Sequence, residues 1–523
     1  MAINRKALYA LMSLALAAGP AAYAQSRNNG GQSKKQSFEE FRSGILHDYQ
    51  DFRQTLLDRY ADFLDGEWHA YESFNGVRRD NKPKPRTVPR VEIPKKKPVA
   101  EPVPELKPKP RPEVKPEPLP ELKPESKPAP KPEVKPVPKP APKPEDKPAP
   151  KPEGRRDSRA ADAFDFFTIP LQVPRVDFSI TDRLYANSDY AAQWRELQEA
   201  EVADRLLPHI TSLATELGLN DYLTFQLINS YIDSKFAGTD ATSRMSAVHY
   251  LLANLGYDAR IAVTGEGVPL LLIPFKQTIY SRTYMMIGDR KYYVFEPEGF
   301  SLAKAGPQSI MTCRLPDDVD KGRRMDLVVG RLNLPEKPRS FDFECGPIHL
   351  TGEVNENLMP VLYHYPQMPV SDFANSDVQP ELRRKLIGQM RSQLEGLDGD
   401  EKVARLLEFM HSVFEYATDE DNHGFEKPYF LEETLYYPKN DCEDRAIFYT
   451  YFLWNALGKE AQLISFPGHE AATVRLDNPV EGTCYDYEGA TYYISDPTFI
   501  GSKTGMIMPP YKSTAPNIDY TFK

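Results

Sequence analysis

Near the end of the chain, three residues have the types and order of a nucleophile, a base and an orienting carboxylate. Cys442 lies in Asn440-Asp441-Cys442-Glu443-Asp444-Arg445, which opens an apolar helical run reaching Leu457. Asp441 suits an N-cap, so Cys442 falls in the first helical turn. There, unpaired N–H groups and the helix dipole favour a thiolate. Glu443 and Asp444 act against it, so a nearby histidine is needed. Gly468-His469-Glu470-Ala471-Ala472 begins a predicted strand, with His469 27 residues after the cysteine, and Asp496 ends another strand 27 residues later. An imidazole beside the helix start can take the thiol proton, and a carboxylate can hold the imidazole in place. Such a thiolate attacks amide carbonyls. The Cys442 backbone N–H is one expected oxyanion donor, and Tyr437 or Asn440 is a candidate for the second.

The elements that must carry these residues occur twice. Leu255-Gly256-Tyr257-Asp258-Ala259-Arg260 parallels Leu457-Gly458-Lys459-Glu460-Ala461-Gln462, each at the end of an apolar helical run with glycine as the C-cap. Tyr292-Tyr293-Val294-Phe295-Glu296-Pro297 parallels Tyr492-Tyr493-Ile494-Ser495-Asp496-Pro497. The offsets are 202 and 200 residues, so the pattern predicts two copies of one unit, a helix followed by antiparallel strands. Strands are expected near 269–274, 282–287 and 291–295 in the first copy, and near 469–476, 483–487 and 491–495 in the second. The first copy lacks the chemistry: the larger offset sets Asp240 opposite Cys442 and Gly267 opposite His469, and Glu296 faces Asp496. The second copy has extra sequence before its cysteine, with His423, Tyr429, Phe430, Tyr436 and Tyr437. These aromatics either line a substrate groove or pack the loop down. His423 reads as a surface histidine.

Asp-Cys-Glu-Asp at a helix start, His on the next strand and Tyr-Tyr-Ile-Ser-Asp-Pro-Thr at the third site resemble the transglutaminase-like superfamily of papain-like cysteine enzymes. The resemblance covers about 381–523 well and about 190–298 weakly. It implies Cys442 as nucleophile, His469 as general base and acid, and Asp496 as orienting carboxylate. It departs from the family pattern after the histidine, where an aromatic residue is common and Glu470 and Ala471 stand. The implied activity is amide-bond chemistry through a thioester. Water as acceptor gives a peptidase or amidohydrolase, the favoured reading; an amine acceptor gives a crosslinking transglutaminase. The alternative from another class is a non-catalytic scaffold of the cell envelope.

Composition divides the rest of the 523 residues. Of 49 prolines, 25 fall between Pro83 and Pro152, where Lys and Arg exceed Asp and Glu by 8. With a whole-chain charge of −10, the remainder carries −18. That acidity argues against nucleic acid as a partner. The proline-rich stretch predicts an extended polyproline-II spacer. Its composition resembles the Pro-Lys spacers of periplasm-spanning proteins. Ahead of it, Phe38, Phe41, Ile45, Tyr49, Phe52, Leu56, Tyr60, Phe63, Trp68, Tyr71 and Phe74 recur about every 3.6 residues, which predicts an isolated amphipathic helix. Such a helix either folds back on the globular part, self-associates or docks to an envelope partner.

Arg5, Lys6, the apolar run Ala7–Ala22 and Ala22-Tyr23-Ala24 read as a signal peptide cleaved after Ala24, placing the mature protein in the periplasm or cell envelope. No apolar run reaches the roughly 20 residues of a membrane span. The four cysteines are too few for a disulfide scaffold; a Cys313–Cys345 bond stays open, and Cys484 reads as a strand packing residue. No metal-ligand spacing, phosphate loop or dinucleotide fingerprint is present, so neither metal nor cofactor is expected. The full expectation is an α+β chain. It comprises a signal (1–24), a polar start and aromatic helix (25–80), a linker (81–160), a degenerate copy (161–300), a β-rich connection (301–375) and a catalytic copy (376–523). The core of each copy is a papain/transglutaminase-like helix on antiparallel strands.

Overall fold

A computed structural model of the chain describes residues 61, 62, 64–66, 68–74, 80, 161–306, 308–313 and 322–523. The signal segment, the linker and most of the aromatic stripe lie outside these residues. Among the described residues the fold is α+β, with antiparallel principal sheets. No described helix is long and apolar enough to cross a membrane.

The aromatic stripe does not stay helical to Phe74. Residues Trp68–Phe74 form strand β1. It pairs antiparallel with a strand from the far end of the first copy, Trp68 opposite Cys313 and Tyr71 opposite Ile310. Trp, Tyr and Phe fit a pleated surface as well as a helix face, so an available sheet edge decides. The stripe is not isolated either. Ala61 and Leu64, on a helical turn, are buried in the main core, and Arg195 pairs with Asp62 at 3.1 Å. In the described portion, this segment folds back on the globular part.

The folded part begins with the hairpin β2 (Ala161–Phe166) and β3 (Ile169–Pro174). Helices α1 (Asn187–Glu199), α2 (Val202–Leu217), α3 (Asp221–Lys235) and α4 (Ala241–Asn254) follow. Then come β4 (Arg260–Thr264), β5 (Pro269–Ile273), β6 (Tyr284–Ile287) and β7 (Arg290–Phe295). After the short α5 (Leu302–Ala305), β8 (Gln308–Cys313) completes a sheet of order β1-β8-β4-β5-β7-β6.

The connection contributes the hairpin β9 (Pro338–Cys345) and β10 (Ile348–Asn355), then the short helices α6 (Leu358–Tyr363) and α7 (Val370–Ala374). Met325–Val329, read from sequence as β-rich, is no ladder strand. Its only pairing is the bridge of Met325 to Phe275, while Met325 and Leu327 are fully buried.

In the second copy, α8 (Pro380–Gln393) and α9 (Gly399–Val413) lead into the two-residue strand β11 (Glu415–Tyr416). The extra segment holds α10 (Asp419–His423) and α11 (Leu431–Tyr436) and ends at β12 (Lys439–Asn440), parallel to β11. Helix α12 (Cys442–Asn455) precedes β13 (Ala461–Phe466), β14 (His469–Val474), β15 (Cys484–Tyr487), β16 (Ala490–Ile494) and β17 (Asn517–Phe522). This sheet runs β15-β16-β14-β13-β17.

The two copies therefore share one topology. A helix leads into four strands ordered first, second, fourth, third, and a later strand pairs on the outer side of the first: β8 beside β4, and β17 beside β13. Both helices end in a left-handed glycine, Gly256 at φ 83° and Gly458 at φ 65°, the backbone a helix stop needs and other residues resist. Every residue of α12 from Cys442 to Leu453 is buried. Ala446 and Ile447 join the core of the first half, while Phe448, Tyr449 and Phe452 join that of the second. A helix covered on all sides needs no single apolar stripe.

The strand ladders also correct the pairing of residues between copies. The N-cap residues Asp240 and Asp441 correspond, which places Ala241 opposite Cys442. Counting from Phe295 opposite Ser495 along the ladders places Val268 opposite His469. The second copy has one more residue after its helix, and the first has one more in its first hairpin. A single sequence offset misses both. The outcome for chemistry is unchanged, since alanine and valine stand where the thiol and imidazole would be.

Candidate active site

The α12 start is held by its own acids. Asp441 is the N-cap, and Asp444 accepts its N–H through Oδ2 at 3.2 Å. Asp444 Oδ1 accepts the Tyr429 N–H at 2.7 Å, and Asp419 accepts the Lys427 N–H. Lys427 Nζ in turn meets Glu433 Oε2 at 2.8 Å, both side chains fully buried. Asp444 of the Asp-Cys-Glu-Asp motif thus ties the extra segment 416–440 to α12, and Asp419 braces that segment from within. Asp419, Asp441 and Asp444 bring ligand atoms within 4.8 Å of one another, but main-chain donors use Asp419 and Asp444, and this is a structural role.

Cys442 is the first residue of α12 and is 1 % exposed. Its Sγ donates to Glu443 Oε2 at 3.0 Å and accepts the Glu470 N–H at 3.4 Å. Burial pushes the thiol well above its usual range; the charges of Glu443 and Asp441 and the bond to Glu443 add to this, and only the Glu470 N–H opposes it. The helix N-terminus favours the thiolate but is outweighed. Burial is the larger cause, and of the acids weighed in the sequence Glu443 adds to it, with Asp441 beside it.

His469 opens β14 and is 6 % exposed. Its Nε2 meets Asp496 Oδ2 at 2.8 Å. Asp496 follows β16, and its Oδ1 accepts the N–H groups of Thr498 at 2.9 Å and Phe499 at 3.2 Å. Both carboxylate oxygens are therefore fixed. Cys442 and His469 line one cavity of about 520 Å³. Among the described residues no hydrogen bond joins the thiol to the imidazole, because Sγ is held by Glu443 and Glu470.

The fold does not bring the two oxyanion candidates to this cavity. Tyr437 belongs to an aromatic cluster with His423 and Tyr429, ring centroids 5.6 and 5.1 Å away. Asn440 is buried, and its Oδ1 accepts from Arg445 Nε at 2.7 Å. Neither lines the cavity. The aromatics of the extra segment mostly pack on one another. His423 meets the Tyr429 and Tyr437 rings edge-on, at 74° and 75°, and burial lowers its pKa.

Sequence reasoning missed two supports of the triad. Tyr511 lies parallel to the His469 ring at 5.5 Å and 8°, and continues onto Phe466 at 4.7 Å. His411, on α9, accepts the Gly501 N–H at Nδ1, 3.3 Å, so its Nε2–H donates to the Asp496 carbonyl at 3.1 Å. Neither residue has a local signal; only the folded chain brings Tyr511 to His469 across 42 positions and His411 to Asp496 across 85. Cys345 and Cys484 are free thiols, so the Cys313–Cys345 bond left open from sequence is not formed.

A second cavity, about 390 Å³, lies between the β2–β3 hairpin and α3. The Lys235–Asp162 pair at 2.6 Å lines it, and no cysteine or histidine does. No protein-family model and no curated protein matches the chain.

Proposed function

We propose that the protein is an exported cysteine-dependent amide-bond enzyme of peptidase or amidohydrolase type, built on tandem transglutaminase-like units and working in the periplasm or cell envelope. The observation that carries this reading is one cavity faced by a helix-start thiol and by an imidazole fixed on a fully anchored carboxylate. Cys442 is the nucleophile. As its Sγ–C bond to the substrate carbonyl forms, its proton passes to His469 and on to the departing amine as the C–N bond breaks. Water then attacks the thioester, His469 takes the water proton, and the thiol leaves reprotonated with release of a carboxylic acid. Asp496 holds the ring and balances the imidazolium. The Glu470 N–H, which donates to Sγ, stabilises the thiolate.

The test is a peptide mixture in heavy-oxygen water, read by mass spectrometry, with wild type and Cys442→Ala. Heavy-oxygen incorporation that depends on Cys442 supports hydrolysis. Amine-linked products that depend on Cys442 identify a crosslinking transglutaminase instead. Absence of both overturns the enzyme reading. One observation favours the non-catalytic scaffold as the second reading: the thiol is bonded to Glu443 rather than to His469. A scaffold would keep its binding partners after Cys442→Ala.

A further inference from the structure

We propose that His411 is a positioning residue through which acid disarms the Cys442 site: when its ring takes a second proton, Asp496 loses the anchor that keeps it on His469. What the site does rests on the amide-bond reading above; the switch itself is read without substrate. The ring stands in the last turn of α9 and is half-buried. Its two nitrogens face groups of opposite kind. Nδ1 lies 3.3 Å from the Gly501 nitrogen, whose N–H can only donate, and Nε2 lies 3.1 Å from the Asp496 carbonyl, which can only accept. One neutral tautomer satisfies both, with its hydrogen on Nε2. The imidazolium does not, because its new Nδ1–H meets the Gly501 N–H, donor against donor. The charged ring must turn away.

Asp496 depends on the turn that His411 ties at both ends. Its Oδ1 is held by the N–H groups of Thr498 and Phe499, inside that turn, which leaves Oδ2 aimed at His469. Burial is the largest influence on the His411 ring and opposes its proton, as does the Arg445 charge from α12; the bond to the Asp496 carbonyl, the Asp496 charge and Glu408 on α9 itself favour it. The balance lies below the ordinary value of 6.5. The neutral ring therefore holds the turn near neutral pH, and the turn is released on the acid side of 6.5. Protonation of His469 works the other way, since an imidazolium there grips Asp496 harder.

The experiment follows hydrogen exchange at the Gly501 amide of the full chain from about pH 7.5 to about pH 4.5, each rate divided by its intrinsic value at that pH. Protection should fall about five- to tenfold over this range, the scale of one lost hydrogen bond. In His411→Leu protection should be low and level. In His411→Gln, whose neutral amide offers both an acceptor and a donor, it should not follow pH; this variant keeps the test where leucine disturbs packing. Wild-type protection that stays level, or that falls equally in the variants, overturns the switch. The link to the site is read with neutral methyl methanethiosulfonate at Cys442, relative to Cys484. His411→Leu should label Cys442 several-fold more slowly than wild type at the neutral end, and the two should converge at the acid end. A variant-to-wild-type ratio that is constant across the range overturns the link. Failure of the amide-bond reading is separate, appearing as absent hydrolysis with this switch intact.

Discussion

Glu443→Gln should make Cys442 more reactive. In the structure Glu443 opposes the thiolate twice, by its charge and by accepting the thiol hydrogen at 3.0 Å. Two unit charges about 4 Å apart interact by about 4 kcal/mol at an effective dielectric of about 20. Burial, which remains in the variant, is the larger cause of the raised pKa, and neighbouring groups relax. A fall of about one to two pH units in the thiol titration is therefore expected, each unit being about 1.4 kcal/mol. Alkylation at pH 7 should rise about ten- to a hundredfold, because only the thiolate reacts. The assay is the iodoacetamide rate at Cys442 from pH 5 to 10, read by peptide mass spectrometry. The plateau above the titration should change little, since glutamine has nearly the same shape. An unmoved or raised midpoint would refute the reasoning and show that burial alone sets the thiol's state.

Two further outcomes follow from the acids around α12. Lys427→Met strands the Glu433 carboxylate in a site where both side chains are buried; urea unfolding should show a loss of about 3–5 kcal/mol, and adding Glu433→Leu should restore much of it. Glu432 is pushed by burial from 4.5 up to about 7 while accepting the Gln379 N–H. Its folded form keeps a proton that the unfolded chain gives up, so this stability is present below pH 4.5 and is lost as pH rises to about 7. Glu432→Gln should flatten that part of the melting-temperature profile, and a profile with the same slope in the variant would exclude Glu432 as its source.

The parts of the fold legible in the sequence are those with local signals. Apolar runs closed by Gly256 and Gly458 marked two helices, and the paired Tyr-Tyr motifs marked the strands behind them. The order cysteine, histidine, aspartate then named the residues that the fold brings together. Residues without such signals were misplaced. Trp68–Phe74 carried a helical spacing, yet β8 offered an edge that only the folded sheet contains. Tyr437 and Asn440 are near Cys442 in sequence, but the parallel pairing of β11 with β12 and the aromatic cluster turn them to structural work. Tyr511 and His411 reach the triad from the loop after β16 and from α9. The strength of Glu443's hold on the thiol depends on burial, which composition does not give.

The central claim is that His469 activates Cys442. The most direct test is the iodoacetamide rate at Cys442 near pH 6 in wild type and His469→Ala, with exposed Cys484 as the internal reference. Loss of the imidazole is expected to lower the Cys442 rate relative to Cys484 by about a hundredfold, the low end of what a positioned base contributes. An equal Cys442-to-Cys484 ratio in the two proteins would contradict the claim.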